Sequence, residues 1–139
     1  RLAPMPANLG HEEAASLPLS GLAALQGLRD AGRLGPGQAV LVNGASGAVG
    51  TLAIQVARAL GARVTAVCSA PNLPLVRQLG ADRAVDYLSE DFATLGPCHD
   101  VVLDLVGNRR PGDCLAALRP GGTYVSCTGG PPGDRLGPV

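Results

Sequence analysis

Apolar residues fall along this chain in two rhythms. Ala39-Val40-Leu41-Val42 is apolar without a break, the mark of a strand covered on both faces. "RVTAV" (63–67), "RAVDY" (83–87), "DVVLDLVG" (100–107) and "TYVSCTG" (123–129) are four further short runs of strand type. Between them the apolar spacing widens to helical. Val49, Leu52, Ala53, Val56, Ala57 and Leu60 recur at three and four residues, so 50–60 reads as a helix that Gly61 stops. Residues 12–34 read as a helix with Leu22, Leu25, Leu28 and Ala31 on one stripe, Pro18 in its first turn and Gly32 at its end. "GPGQ" (35–38) is a turn. Asn72 is placed to cap a short helix through "LPLVRQL", closed by Gly80. "GDCLAALRPGG" (112–122) supplies a helical turn and a glycine corner.

Strands that alternate with helices and are apolar throughout predict an α/β fold, with a parallel sheet and helices on both faces. Five strands in this rhythm predict a Rossmann-type doubly wound sheet of order 3-2-1-4-5. A sixth strand, if the sheet has one, lies beyond Val139. The Gly/Pro-rich tail from 129 to 139 is expected to be loose.

Composition adds few constraints. The 139 residues are 46% hydrophobic and 16% charged, a globular balance. Tyr87, Phe92 and Tyr124 are the three aromatic residues, so the core is expected to be Val, Leu, Ile and Ala. Eleven basic residues balance eleven acidic ones, which gives no electrostatic case for nucleic acid. The apolar runs are too short to cross a membrane. Cys68, Cys98, Cys114 and Cys127 show no C-x-x-C spacing and only His11 and His99 accompany them, so no metal site is expected and the thiols read as buried and reduced. A cytoplasmic location fits that reading, with a mitochondrial one open. The chain opens on Arg1 and closes on Leu136-Gly137-Pro138-Val139, which reads as part of something longer.

The chemistry concentrates in "VLVNGASGAVG" (40–50). A strand runs directly into small residues and then into an amphipathic helix. Ala45, Gly47 and Gly50 occupy positions 1, 3 and 6 of the dinucleotide fingerprint: the tight turn, the close approach to a pyrophosphate, and the packing of helix on strand. Helix amides and the helix dipole then face the phosphates. A βα turn using small residues for packing alone is the competing reading, and a P-loop lacks its Gly-Lys-Ser/Thr. On this reading Gly47→Asp or Gly50→Val removes dinucleotide binding and leaves the fold largely intact. The second strand ends in Cys68-Ser69-Ala70-Pro71-Asn72, without the acid that bonds a 2′-hydroxyl in NAD sites. Ser69 and Asn72 instead offer donors to a 2′-phosphate, which favours NADPH.

"GQAVLVNGASGAVGTLAIQVARALGARVTAVCS", "LVRQLGADRAVDY", "DVVLDLVG" and "LRPGGTYVS" together resemble the zinc-independent, zeta-crystallin-like quinone oxidoreductase branch of the medium-chain dehydrogenase/reductases. The likeness runs from "EEAASLPLSGLAALQGL" to "YVSC". It implies that 1–139 is a partial NAD(P)-binding Rossmann domain, with a GroES-like substrate domain upstream and a homodimer in the full protein. It implies that Ala45, Ser46, Gly47, Ala48, Val49 and Gly50 hold the pyrophosphate, and that Ser69 and Tyr87 flank the 2′-phosphate. Gly107 and Asn108 would lie near the nicotinamide ribose, and Thr128 and Gly129 toward the nicotinamide. Ala23 stands where the family often has a cofactor-contacting Thr, and Pro71 where a basic residue is common, which reduces the expected NADPH preference to a modest factor. "SLPLSG" lacks the cysteine that zinc-dependent relatives carry. The implied reaction is NADPH-dependent hydride transfer to a quinone or an activated enone, with a non-catalytic, crystallin-like nucleotide-binding protein as the alternative.

No Ser/His/Asp or Cys/His arrangement is evident and no catalytic residue is named. Asp100 and Asp104 read as local backbone acceptors. Cys127 reads as a buried strand thiol, and His99 as a residue of an exposed turn.

Overall fold

The computed structural model describes residues 3–128. Five parallel strands form one sheet in the order β3-β2-β1-β4-β5. They are β1 (Ala39–Asn43), β2 (Arg63–Cys68), β3 (Arg83–Asp86), β4 (His99–Asp104) and β5 (Leu118–Ser126). Four helices connect or cover them: α1 (His11–Leu25), α2 (Ala48–Ala59), α3 (Leu73–Gln78) and α4 (Pro111–Ala116). The doubly wound order expected from the sequence is the observed one.

Side-chain alternation divides the core in two. Val40, Val42, Val64, Ala66, Val101 and Leu103 face one side, packed with Ala24, Leu28, Ala53, Ile54 and Ala57 from α1, the turn after it, and α2. Leu41, Val67, Val85 and Val102 face the other, packed with Phe92, Cys114 and Ala117. Since both faces are covered, β1 is buried along all five residues. The aliphatic core expected from composition omits Phe92. It is 1% exposed, carried inward by a short 3₁₀ turn (Phe92–Leu95) that no apolar period announces.

The first helix departs from its expected form. Pro18 lies inside α1, well past the first turn. After Leu25 the winding becomes π-helical over Gln26–Ala31, and the Gly32 N–H bonds to Gly27 O at 2.9 Å. The wider turn changes the phase of the stripe. Ala24, Gly27 and Leu28 are buried, while Leu22 is 53% exposed and Ala31 is exposed. Gly32 has an ordinary right-handed φ of −75°; Arg33 takes the left-handed turn, at φ 50°. What Gly32 supplies is closeness, since a Cβ there would stand 2.9 Å from the carbonyls of Gly27 and Leu28.

The other boundaries shift modestly. β4 begins at His99 and ends at Asp104, so the expected run to 107 is a loop after its first half. β5 begins earlier than expected, at Leu118, and takes the "LRPGG" corner into the strand through a register irregularity between His99 and Val101. His99 is not in an exposed turn. It is 3% exposed, with Nδ1 3.1 Å from Ala117 O and Nε2 3.0 Å from Thr65 Oγ1. Of the four thiols, Cys68 and Cys114 are buried as expected, and Cys98 and Cys127 are exposed.

Candidate functional site

In an open parallel sheet, ligands bind at the carboxyl ends of the strands, where the connections diverge. Here that point lies between β1 and β4, the central pair from which the chain winds outward in both directions.

The turn leaving β1 is built by Gly44. Its φ is +84°, and both its N–H and that of Ala45 bond to Val67 O, at 3.1 and 2.9 Å. A Cβ on Gly44 would stand 2.6 Å from Val106 Cγ2, so the position needs glycine for conformation and for space. The tight turn assigned to Ala45 is therefore made one residue earlier. Ala45 is fully buried, and its role is to be small beneath α2.

Gly50 performs the expected close packing. A Cβ there would lie 2.3 Å from Gly44 O and 2.7 Å from Ala45 Cα. Gly50→Val therefore cannot leave the fold intact, contrary to the sequence-based expectation. Gly47 is different. Its φ is −76°, and a Cβ would meet only Gly44 O, at an ordinary 3.4 Å. Nothing inside the protein requires glycine at this position.

Gly47 is also the N-cap of α2, so no side chain caps the helix. The first ladder bond runs from Thr51 N–H to Gly47 O at 2.9 Å. The amides of Ala48, Val49 and Gly50 precede it and have no intrahelical acceptor. A bare Cα, free amides and the positive end of a 12-residue helix make a cradle for an anion.

Beside the cradle, Asn72 Nδ2 donates to Ser46 Oγ at 3.2 Å and to Ser69 Oγ at 3.1 Å. The expected helix cap is not formed, since no cap hydrogen bond links the Asn72 side chain to α3. Its amide instead ties the β1–α2 turn to the end of β2. Because both serine oxygens accept from Asn72, both hydroxyl protons remain available to an outside acceptor. Tyr87 follows β3, with its N–H on Cys68 O at 3.2 Å and its side chain 45% exposed. Ser46, Ser69 and Asn72 are thus brought into one cluster, and the chain at Tyr87 lies against the end of β2.

Across the crevice, Asn43 and Asp104 are the last register partners of the β1–β4 ladder. Asp104 is 0% exposed. Its Oδ1 accepts from Asn43 Nδ2 (2.9 Å) and from the backbone N–H groups of Val106 (3.1 Å) and Gly107 (3.0 Å); its Oδ2 accepts from Tyr124 Oη–H (2.9 Å). Burial, followed by the bond to Asp104, pushes the Tyr124 phenol well above its ordinary range, so it stays a donor. Asn43 Nδ2 also reaches Asn108 Oδ1 at 3.2 Å. The local-acceptor reading of Asp104 holds for two of its four bonds; the other two span three strands. Asp100 follows a similar pattern, taking the Ala39 N–H at 2.7 Å and Arg119 at 3.1 Å.

Gly107 (φ +68°) lies against Thr128, where an added Cβ would meet its side chain at 3.0 Å. Thr128 Oγ1 is 2.8 Å from Ser126 Oγ. Gly107, Asn108 and Thr128 thus line one side of the crevice. Gly129 lies outside the described residues. Cys127 is exposed just past β5, with its N–H on Asp104 O, and is not a buried strand thiol. Among the described residues, no group of three His, Cys, Asp or Glu side chains is arranged to hold a metal ion. No helix among them is long and apolar enough to cross a membrane. Gly44, Asn43 and Asp104 are the site residues that sequence reasoning missed. The Asn-Gly dipeptide, a turn signal in its own right, marked the first two.

Comparison with known proteins agrees with this geometry. The family profile "Zinc-binding dehydrogenase" matches residues 48–136, and the chain belongs to that family. It is 41% identical over 135 residues to the 2-methylene-furan-3-one reductase of Solanum lycopersicum, covering 94% of this chain and 34% of that protein. It is 38% identical over 139 residues to the chloroplastic NADPH-dependent alkenal/one oxidoreductase of Arabidopsis thaliana, covering 97% of this chain and 35% of that one. The solved quinone oxidoreductase of Coxiella burnetii superposes with a TM-score of 0.81 at 36% identity, over 89% of this chain and 39% of that chain. The resemblance to quinone and enone oxidoreductases of the medium-chain type is thus shown. The chain spans about a third of the length of the curated relatives it matches.

Proposed function

We propose that this chain is the cofactor-binding part of an NADPH-dependent oxidoreductase that delivers hydride to a quinone or to the activated double bond of an enone. The observation that carries the reading is Gly47. Its backbone is in a conformation open to any residue, and its Cβ position clashes with nothing, so its bareness has no internal cause. A group approaching from outside accounts for it, and the free amides of Ala48, Val49 and Gly50 fit that group to a pyrophosphate. Ser46, Ser69 and Asn72 suit the 2′-phosphate: they place hydroxyl donors beside the cradle. Tyr87 borders the same end. Gly107, Asn108 and Thr128 border the nicotinamide end.

Bound NADPH supplies hydride chemistry from its nicotinamide ring. The residues of this chain bind and orient. The helix end and the serine cluster hold the phosphates, and the β4 loop sets the opposite rim. The part assigned to these residues is placement. Zinc has no part in this reading. The substrate side of the crevice belongs to a further GroES-like domain, the small-molecule acceptor binds between the two, and the protein acts as a cytoplasmic homodimer.

Equilibrium titration with NADPH and NADH, followed by reduced-nicotinamide fluorescence, tests the cofactor reading. NADPH is expected to bind more tightly by a modest factor. Absence of binding by either would overturn it. NADPH consumption with a panel of quinones and enones, measured on protein that includes a substrate domain, tests the reaction.

A further inference from the structure

The Asn43–Asp104 pair closes the β1–β4 ladder at the point where the chain winds outward in both directions. A carboxylate fully removed from water is costly unless its oxygens are occupied. Asp104 has four donors and, among the described residues, no cation within ion-pair distance. Its two oxygens serve different elements. Oδ2 takes only the Tyr124 hydroxyl, from β5. Oδ1 takes Asn43 from β1 together with the two consecutive amides of Val106 and Gly107. Asn43 uses the same nitrogen to hold Asn108. The loop so held is the one whose Val106 side chain presses on Gly44 and whose Gly107 lies on Thr128. Through one oxygen, then, the turn on one side of the crevice is fixed relative to the turn on the other.

We propose that the Oδ1 side of Asp104, with Asn43, is a positioning clamp that sets the Gly107–Asn108 turn for the nicotinamide half of the dinucleotide, while the adenosine half binds independently of it. Asp104 and Asn43 act through that turn and are positioning residues. The inference rests on the dinucleotide reading above and deepens it, dividing the site into two halves with separate supports. The adenosine half is held by the β1–α2 turn and the Ser46, Ser69 and Asn72 cluster, none of which bonds to Asp104.

The test compares two ligands on the chain by calorimetry, NADPH and adenosine 2′,5′-bisphosphate, the second carrying only the adenosine end. Asn43→Ala removes the clamp bond and the support of Asn108 while leaving Asp104 three donors. It is expected to weaken NADPH about tenfold, the scale of one lost charge-assisted hydrogen bond, and to leave the bisphosphate unchanged. Asp104→Asn is expected to do the same more strongly. Tyr124→Phe removes the Oδ2 bond alone and should lower the melting temperature while leaving the ratio of the two affinities as it was. Should Asp104→Asn fail to fold, Asn43→Ala and Tyr124→Phe still decide the matter. Equal weakening of both ligands by Asn43→Ala, no weakening of either, or a changed ratio in Tyr124→Phe would overturn the clamp. Failure of the unaltered chain to bind the bisphosphate would overturn the dinucleotide reading itself, and the clamp with it.

Discussion

Gly47→Asp should separate stability from binding in opposite directions. The position is the N-cap of α2, at φ −76° and ψ 173°, which aspartate adopts without strain. The new Cβ meets Gly44 O at 3.4 Å and nothing nearer. Aspartate caps a helix better than glycine by a few tenths of a kcal/mol, roughly. A carboxylate near the helix N-terminus adds about 0.3–1 kcal/mol. The sum, about 0.5–1.3 kcal/mol, raises the melting temperature of a domain this size by about 2–6 °C. For the ligand the same carboxylate fills the cradle and meets a like charge. Two unit charges about 4 Å apart repel by about 4 kcal/mol at an effective dielectric of about 20, or roughly a thousandfold in affinity. Thermal unfolding followed by circular dichroism reads the first effect, and NADPH titration by fluorescence the second. A lower melting temperature would refute the cap geometry. An unchanged affinity would refute the assignment of Gly47 to the pyrophosphate.

Gly50→Val should do the reverse of what its place in the fingerprint suggests and unfold or strongly destabilise the chain, by about 3 kcal/mol or more, because its Cβ would stand 2.3 Å from Gly44 O; a denaturant midpoint near that of the parent would contradict this. Ser69→Asp keeps an acceptor for Asn72 and should shift preference toward NADH by about tenfold or more, read from the two dissociation constants. Burial, its largest cause, lowers the His99 pKa below the ordinary 6.5, with Arg119 and Arg83 pushing the same way and the Ala117 bond and Asp100 against. Below about pH 6.5 the unfolded chain therefore takes up a proton that the folded chain refuses, and this contribution to stability is full above that pH and falls as the medium is acidified toward the folded pKa. Urea midpoints at about pH 5 and about pH 7.5 should differ more for the parent than for His99→Gln, and equal differences would count against it. Residues 1–139 alone build one wall of the crevice in the proposed arrangement, so NADPH consumption with phenanthrenequinone should be negligible, and steady turnover would show the site to be complete within them.

Sequence reasoning reached the sheet order because buried parallel strands announce themselves by unbroken apolar runs, and the glycine-rich turn followed one of them directly. It failed where the cause was not periodic. The π-helical turn at Gln26–Ala31 changes the phase of a stripe that otherwise reads as one regular helix, so Leu22 is exposed and Gly27 buried. His99 looked like a loop residue because its two partners, Thr65 and Ala117, are 34 and 18 residues away. Asp104 looked local for the same reason. Its nearest donors in sequence are two and three residues on, but those that make it a clamp come from Asn43, 61 residues back, and Tyr124, 20 residues ahead. The fingerprint pointed to the β1–α2 connection yet assigned its turn to Ala45, because matching by spacing cannot tell a residue that bends the chain from its small neighbour. Only the φ of +84° at Gly44 makes that distinction.

The central claim is that a dinucleotide lies across the carboxyl ends of β1, β2 and β4, and amide chemical-shift mapping of the isotopically labelled chain with NADPH tests it most directly. Saturating ligand should move the amides of Ala48, Val49 and Gly50 most, because these free amides are the ones a pyrophosphate bonds to, with a second group at Ser69, Asn72 and Tyr87 and a third at Gly107, Asn108 and Thr128. The amides of Gln38, Arg119 and Gly121, at the opposite end of the sheet, should stay still. Adenosine 2′,5′-bisphosphate should reproduce the second group and spare the third. Shifts centred on the Arg119 end, or spectra unchanged at saturating NADPH, would contradict the account.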